Sequence, residues 1–333
     1  MNARRCSWLV AASLLAGCGD TPLLQDATGQ FRILARCEAK PTAGGSTADP
    51  LAATLGEHPA VDVLLLHDDQ LAERCAPLLR DQKPRLLVAS APLGMAREAV
   101  QTGRWAAAVE LGNHEARGAI DLAVLACRGI EVPRRVPIGA RFLTRANLAA
   151  GGSLVPAPGD FALQAMRLQH GAILAAGSDA VLRLACVTTA DAFGTAVQQA
   201  LAGVSAPGVQ LSFVAAAAAG DDAAFAAALR SVLPDNPSAV LVVTRDAGAA
   251  AAEVRAEVLQ RGIKVLVFGA APADEQFTCW LGPDQAALGR AAAEALRQIA
   301  PLGASLLEIH RGTAGGDALH QSFVGALGLQ APR

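Results

Sequence analysis

From Val181 to the C-terminus, short apolar runs alternate with amphipathic or alanine-rich segments of helical length. Leu182–Val187, Val209–Val214, Ala239–Thr244, Lys264–Phe268, Thr278–Leu281 and Ser305–Ile309 read as strands. Ala192–Leu201, Asp221–Leu233, Ala247–Arg261, Asp284–Ile299 and Gly316–Leu327 read as the helices between and after them. A strand returned by a helix of ten or more residues lies parallel to its predecessor, with a right-handed crossover. Strands that are apolar along their whole length are covered on both faces. The fold class that follows is α/β: parallel sheets flanked by helices.

The first part of the chain repeats the pattern. Phe31–Cys37 is a strand, Lys40–Asp49 a Pro/Gly/Ser/Thr loop and Pro50–Glu57 a short helix. Val61–Ala72, VDVLLLHDDQLA, is a buried strand broken only by Asp62, running into His67-Asp68-Asp69 and then a helix over Asp69–Leu79. Strands Arg85–Ser90 and Trp105–Glu110 bracket a helix at Gly94–Gln101, and His114–Arg128 is amphipathic and stopped by Gly129. Val132–Arg145 holds two short extended pieces with Pro133 and Pro137. Asn147–Asp160, with Gly151-Gly152-Ser153 and Pro156-Ala157-Pro158-Gly159, is the best linker in the chain, followed by a helix at Phe161–Ala176.

At 333 residues the chain holds one two-lobed protein or two ordinary domains. A formal charge of −2 supplies no basic field for nucleic acid. At the N-terminus, Arg4 and Arg5 precede the apolar run Ser7–Leu15, which closes with Leu15-Ala16-Gly17-Cys18. This resembles a bacterial lipobox, implying that residues 1–17 are a lipoprotein signal peptide, that Cys18 is acylated, and that 18–29 is a tether. The implied location is the cell envelope, anchored to a membrane by lipid and facing the periplasm or exterior. The body cysteines Cys37, Cys75, Cys127, Cys186 and Cys279 show no metal-ligand spacing and default to buried thiols. Export permits one disulfide, for which Cys37 and Cys75 are a candidate pair.

Ala239–Gly269, Trp280–Leu296 and Ala304–Leu327, taken with Pro59–Ala76, Arg85–Glu110 and Gly118–Asn147, together resemble type 1 periplasmic binding proteins of the ribose/galactose kind. The first three are similar to motifs of that family's first half and the last three to its second half. The halves stand in swapped order, as in a circular permutation, with the Gly/Pro-rich stretch joining what are ordinarily the two termini. The resemblance implies two Rossmann-like lobes joined by a hinge crossed three times. One lobe is 30–111 with 284–327, the other 112–139 with 181–283, and 140–180 supplies the hinge strand and linker. Hinges fall near Leu111-Gly112, Arg141–Thr144 and Pro283-Asp284.

The same resemblance implies a small polar, sugar-like ligand held between the lobes, handed to an ABC permease or read by a sensor. In open α/β sheets, ligands bind beyond the carboxyl ends of strands. Asp68, Asp69, Glu110, Asp191, Phe193 and Asp246 occupy such positions and are the candidate ligand contacts. Each acidic residue is equally a helix N-cap by its position. Trp105 and Trp280 read as packing residues, and Asp284 as a hinge or cap. Several polar contacts expected from the family are replaced by apolar residues, at Ala91, Leu111, Gly269-Ala270 and Leu319. A second reading follows from that loss: a degenerate relative acting through protein contacts in the envelope. The chain shows no G-x-S-x-G elbow, P-loop or HExxH, so an enzyme is not expected, and neither is a cofactor or a metal. Gly312–Gly316 opens a helix but lacks the dinucleotide fingerprint.

Overall fold

The computed structural model describes residues 24–25, 31–38, 50–79, 84–91, 93–110, 115–176, 180–215, 221–244, 249–301, 303–310 and 314–329. The signal peptide, Cys18, Asp246, the 39–49 loop, residues 111–114 and residues 312–313 lie outside them. The strands are β1 Leu24–Gln25, β2 Phe31–Glu38, β3 Val63–Leu66, β4 Arg85–Ala91, β5 Ala107–Glu110, β6 Arg135–Ile138, β7 Ala140–Thr144 and β8 Ser153–Val155. They continue as β9 Leu182–Thr188, β10 Val209–Ala215, β11 Ala239–Thr244, β12 Lys264–Gly269, β13 Cys279–Pro283 and β14 Ala304–His310. The helices are α1 Pro50–Glu57, α2 Asp69–Leu79, α3 Leu93–Thr102, α4 Ala116–Cys127 and α5 Pro158–Ala175. They continue as α6 Ala192–Ala202, α7 Asp222–Ser231, α8 Ala249–Gln260, α9 Gln285–Ile299 and α10 Ala314–Leu327.

The strands form two sheets, ordered β1-β2-β14-β3-β4-β5-β7-β8 and β10-β9-β11-β12-β13-β6. All ladders of the second sheet are parallel, as are those linking β2, β14, β3, β4 and β5 in the first. β1, β7 and β8 add antiparallel edges. Each sheet is covered on both faces, which explains strands that are apolar at every position. In the first sheet, Val63, Leu65 and Leu306 pack with α9 and α10, while Leu64, Leu66 and Leu307 pack with α1, α2 and α3. In the second, Cys186, Leu241 and Phe268 face α4 and α6, and Val187, Val242 and Val267 face α7 and α8. The α/β class expected from the alternation is the class observed.

The windings of the two sheets are equivalent. Numbered from β9, the second sheet runs 2-1-3-4-5, with β6 at its edge. The first sheet gives the same order only when the count begins at β14 and passes from α10 to β2, β3, β4 and β5, with β7 and then β8 beyond β5. The chain leaves the first sheet after β5, since α4 packs on β9, β11 and β12. Gly139 separates β6 of the second sheet from β7 of the first. The chain goes back between β8 and α5, which packs on β6, and crosses again at Asp284, where α9 leaves β13 to pack on β4, β5 and β7.

The stretch read as a linker is built into the structure. Asn147 accepts from Thr144 N at 2.7 Å and donates to Phe142 O and Ser153 Oγ, and β8 then pairs with β7. Gly and Pro here serve tight turns: Gly151 and Gly152 have φ of 84° and 90°, a region costly for any residue with a Cβ. Asp62, the lone polar break in its strand, accepts from the backbone N–H and hydroxyl of Ser305, both at 2.9 Å, and ties β3 to β14 at their amino ends. The five body cysteines are thiols, and Cys37 Sγ lies 3.3 Å from Thr54 Oγ1 rather than bonded to Cys75.

Candidate functional site

A doubly wound sheet binds ligands where the strand order reverses, because adjacent connections leave for opposite faces and open a crevice at the carboxyl ends. In the first sheet that point lies between β14 and β3, and in the second between β9 and β11.

The first reversal point carries a buried polar cluster. Alternation along β14, ASLLEIH, puts Glu308 on the same face as Leu306, beneath α10. Glu308 is 1% exposed. Its Oε1 accepts from His67 Nε2 at 2.7 Å and its Oε2 from His320 Nδ1 at 2.6 Å. His67 directly follows β3, and its backbone N–H donates to Ile309 O at 3.1 Å. Arg36, on β2, sets its Nε 3.5 Å from Glu308 Oε1 and donates through Nη2 to Asp317 Oδ1 at 2.7 Å. The His310 ring sits 5.7 Å from that of His67. Side chains from three other elements thus converge on one carboxylate.

Charge in the cluster follows from these contacts. Burial raises the Glu308 carboxyl, but hydrogen bonds from His320 and His67, with the charge on those rings, override it and hold the pKa at about 2. Glu308 is therefore an ion at neutral pH, and both imidazoles donate to it. Burial, reinforced by the neighbouring Arg36 guanidinium, lowers His310 to about 4, leaving that ring neutral at pH 7. No group of three or more His, Cys, Asp or Glu among the described residues is arranged to hold a metal ion.

The second reversal point is built from hydroxyls and a cap. Thr188, Thr189 and Thr244 are buried at the ends of β9 and β11. Asp191 caps α6, its Oδ1 accepting from Gly194 N at 2.7 Å and from Thr189 Oγ1 at 3.0 Å. Gly194 is required because a Cβ there would run into the Thr189 carbonyl oxygen. Gly269, at the end of β12, has φ of 112° and lets Ala270 N reach Thr244 O at 2.9 Å.

Asp68 stands half-buried at the first reversal point beside His67, and caps α2 through Oδ1, which accepts from Leu71 N at 2.8 Å. Asp69 is buried in the first turn of α2. Glu110, 0% exposed, ends β5 and lies opposite Arg141, whose Nε is 3.8 Å from Glu110 Oε2. Phe193 is 0% exposed, its ring 6.4 Å from that of Phe268 inside the second sheet's core. Asp246 lies outside the described residues. Trp105 is buried, and Trp280 donates from Nε1 to Gly269 O at 3.0 Å. Asp284 caps α9, accepting from Ala286 N at 2.9 Å. His67 is thus gathered with Glu308, His310, His320 and Arg36, with Asp68 next to it in sequence as the α2 cap; Asp191 is gathered with Thr189 of the second sheet. Sequence reading missed Glu308, His310 and Arg36, although a lone Glu inside the otherwise apolar run ASLLEI was a signal.

No protein-family model matches the chain, and no curated protein matches it. Solved structures give partial likenesses. A fructose-binding periplasmic domain of a hybrid two-component system aligns at TM-score 0.32 and 16% identity, over 44% of this chain and 49% of that one. The periplasmic component of an ABC-type sugar transport system from Hahella chejuensis aligns at TM-score 0.33 and 24% identity, over 43% of this chain and 54% of that one. An extracellular ligand-binding receptor from Rhodopseudomonas palustris HaA2 aligns at TM-score 0.39 and 15% identity, over 82% of this chain and 65% of that one. The chain spans about half the length of the first two.

Proposed function

We propose that this protein is an extracytoplasmic solute-binding protein of the type 1 periplasmic kind, capturing a small polar, sugar-like ligand between two α/β lobes. The lobes are 30–111 with 284–327 and 112–139 with 181–283, with 140–180 joining them. The observation that carries the reading is the pair of equivalently wound sheets, each with polar side chains at its reversal point, connected by a chain that passes repeatedly between them. The swapped order is read as a circular permutation, supported by a first sheet whose winding matches the second only when β14 is counted first. Asp68 and Asp191, with Asp246, are the proposed polar contacts, while Asp69, Glu110 and Phe193, each buried, shape the walls behind them. Hinge closure would then bring the two walls onto the solute.

Acylation at Cys18 would tether the body to a membrane face in the cell envelope, where the bound solute passes to an ABC permease or a sensor. The protein performs no catalysis in this reading. Thermal-shift measurements against a panel of monosaccharides, nucleosides and small polar acids test it. Saturable stabilisation by one class, weakened at least tenfold by Asp68→Ala, supports capture; no stabilisation by any of them counts against it.

One observation favours a second reading, an envelope module that has lost small-molecule binding. Asp68 and Asp191 already serve as caps, and both oxygens of Glu308 accept from histidines. Retrieval of a specific envelope protein by a panel-negative chain would favour it.

A further inference from the structure

Among the described residues, the large apolar side chains standing exposed are Leu154, Phe161, Leu168 and Val181, at 50%, 64%, 79% and 59%. All belong to the segment running from β8 through α5 to the start of β9. Elsewhere among the described residues the large apolar side chains are buried or partly buried, so this exposure is localised. Localised apolar exposure on a soluble face marks an interaction surface.

The pattern on α5 is regular. Phe161, Ala165, Leu168 and Ala172 are spaced four, three and four residues apart, which places them in one stripe. The flanking exposed positions are Gln164, Gln169 and Ala175, so the whole outward face carries no charge. The charged residues of α5 turn back to their own chain. Asp160 accepts from the N–H groups of Gly139 and Ala157, and Arg167 pairs with Asp121 and Glu115. The inward face is occupied by Leu163 and Met166, packed with α4 and β6.

We propose that this face is a homodimer seam, α5 pairing antiparallel with α5 of a second copy about a two-fold axis between residues 166 and 167. In that register Phe161 lies opposite the second copy's Ala172, and Leu168 opposite its Ala165. Every large side chain meets a small one, the alternation that lets helices approach to about 8 Å. Gln164 falls opposite Gln169, giving two symmetry-related amide pairs at the rim. The same patch serves both copies, as an isologous interface requires. An uncharged face repels no copy of itself, and depletion of charge is the compositional mark of an interface core. A seam of one helix face is small against a standard interface, so the dimer is weak and transient.

Sedimentation velocity of the full, unacylated chain from about 5 to about 300 μM tests this. The expected result is a reversible rise toward dimer mass. Phe161→Glu and Leu168→Glu should each weaken association at least tenfold while far-UV dichroism and melting temperature stay put, since both side chains are exposed. The register is tested by the double variant Phe161→Glu/Ala172→Lys. Residues 161 and 172 are eleven apart and cannot pair within one helix, so recovery of dimer over Phe161→Glu alone requires the antiparallel seam. A monomer at every concentration overturns the proposal, whether or not the chain then binds phosphatidylcholine/phosphatidylglycerol vesicles. Association unaffected by Leu168→Glu, or a double variant no tighter than Phe161→Glu, overturns it as well.

Discussion

Replacing Glu308 with Gln removes the charge at the centre of the first reversal point while keeping the side chain's shape. The folded protein lowers this carboxyl from 4.5 to about 2, after the cost of burial has been offset by the two imidazoles. The direction of the shift means that the fold holds the carboxylate better than a neutral acid, by on the order of a few kcal/mol once the carboxyl is ionised. Glutamine stands in for the neutral acid, so Glu308→Gln should cost about that much. The sign of the pH dependence is fixed. A depressed folded pKa contributes stability that is fully present above the unfolded value and is lost as pH falls through the folded value. The deficit of the variant should therefore be largest at pH 7, roughly halve by about pH 3, and nearly vanish toward pH 2. Urea unfolding followed by far-UV dichroism at a series of pH values reads this directly. A deficit below about 1 kcal/mol at pH 7, or one that does not change with pH, would refute the charge assignment.

Two other residue sets give independent checks. Phe193→Ala should cost about 3–5 kcal/mol in urea unfolding, because the ring is fully buried against Phe268 and its loss leaves a cavity; a cost under 1 kcal/mol would mean the ring is not core. Burial pushes the thiols of Cys186 and Cys279 up to about 12 and that of Cys127 to about 11, the last opposed in part by Lys264. A thiol-specific disulfide reagent at pH 8 should thus modify these three only after denaturant is added, and rapid labelling of the native chain would contradict their placement.

Much of the fold was legible because strands covered on both faces are written as unbroken apolar runs. Residues 239–244 and 69–79 begin and end where the pattern of Val/Leu run and Asp cap puts them. The stretch around 147–155 misled for a physical reason: Gly151 and Gly152 serve positive-φ turns, and a three-residue edge strand is too short to show alternation. The site was legible in outline only. Asp68 and Asp191 were found because caps at strand ends have a local signature, and that same signature hides whether an oxygen remains for a ligand. Glu308, Arg36 and His320 come from strands and a helix up to 284 residues apart, and their meeting is a product of the winding rather than of any local motif. Phe193, adjacent to the cap, faces inward because helical periodicity turns it onto β9 and β12.

The proposed capture of a polar solute between the two sheets requires the lobes to close, and small-angle X-ray scattering of the full chain, titrated with a solute that stabilises it, measures that closure. Closure predicts a fall in the radius of gyration that saturates with the same midpoint as the thermal stabilisation and disappears in Asp68→Ala. A solute that stabilises the chain without compacting it, or an unchanged radius across the whole panel, would contradict capture by closure.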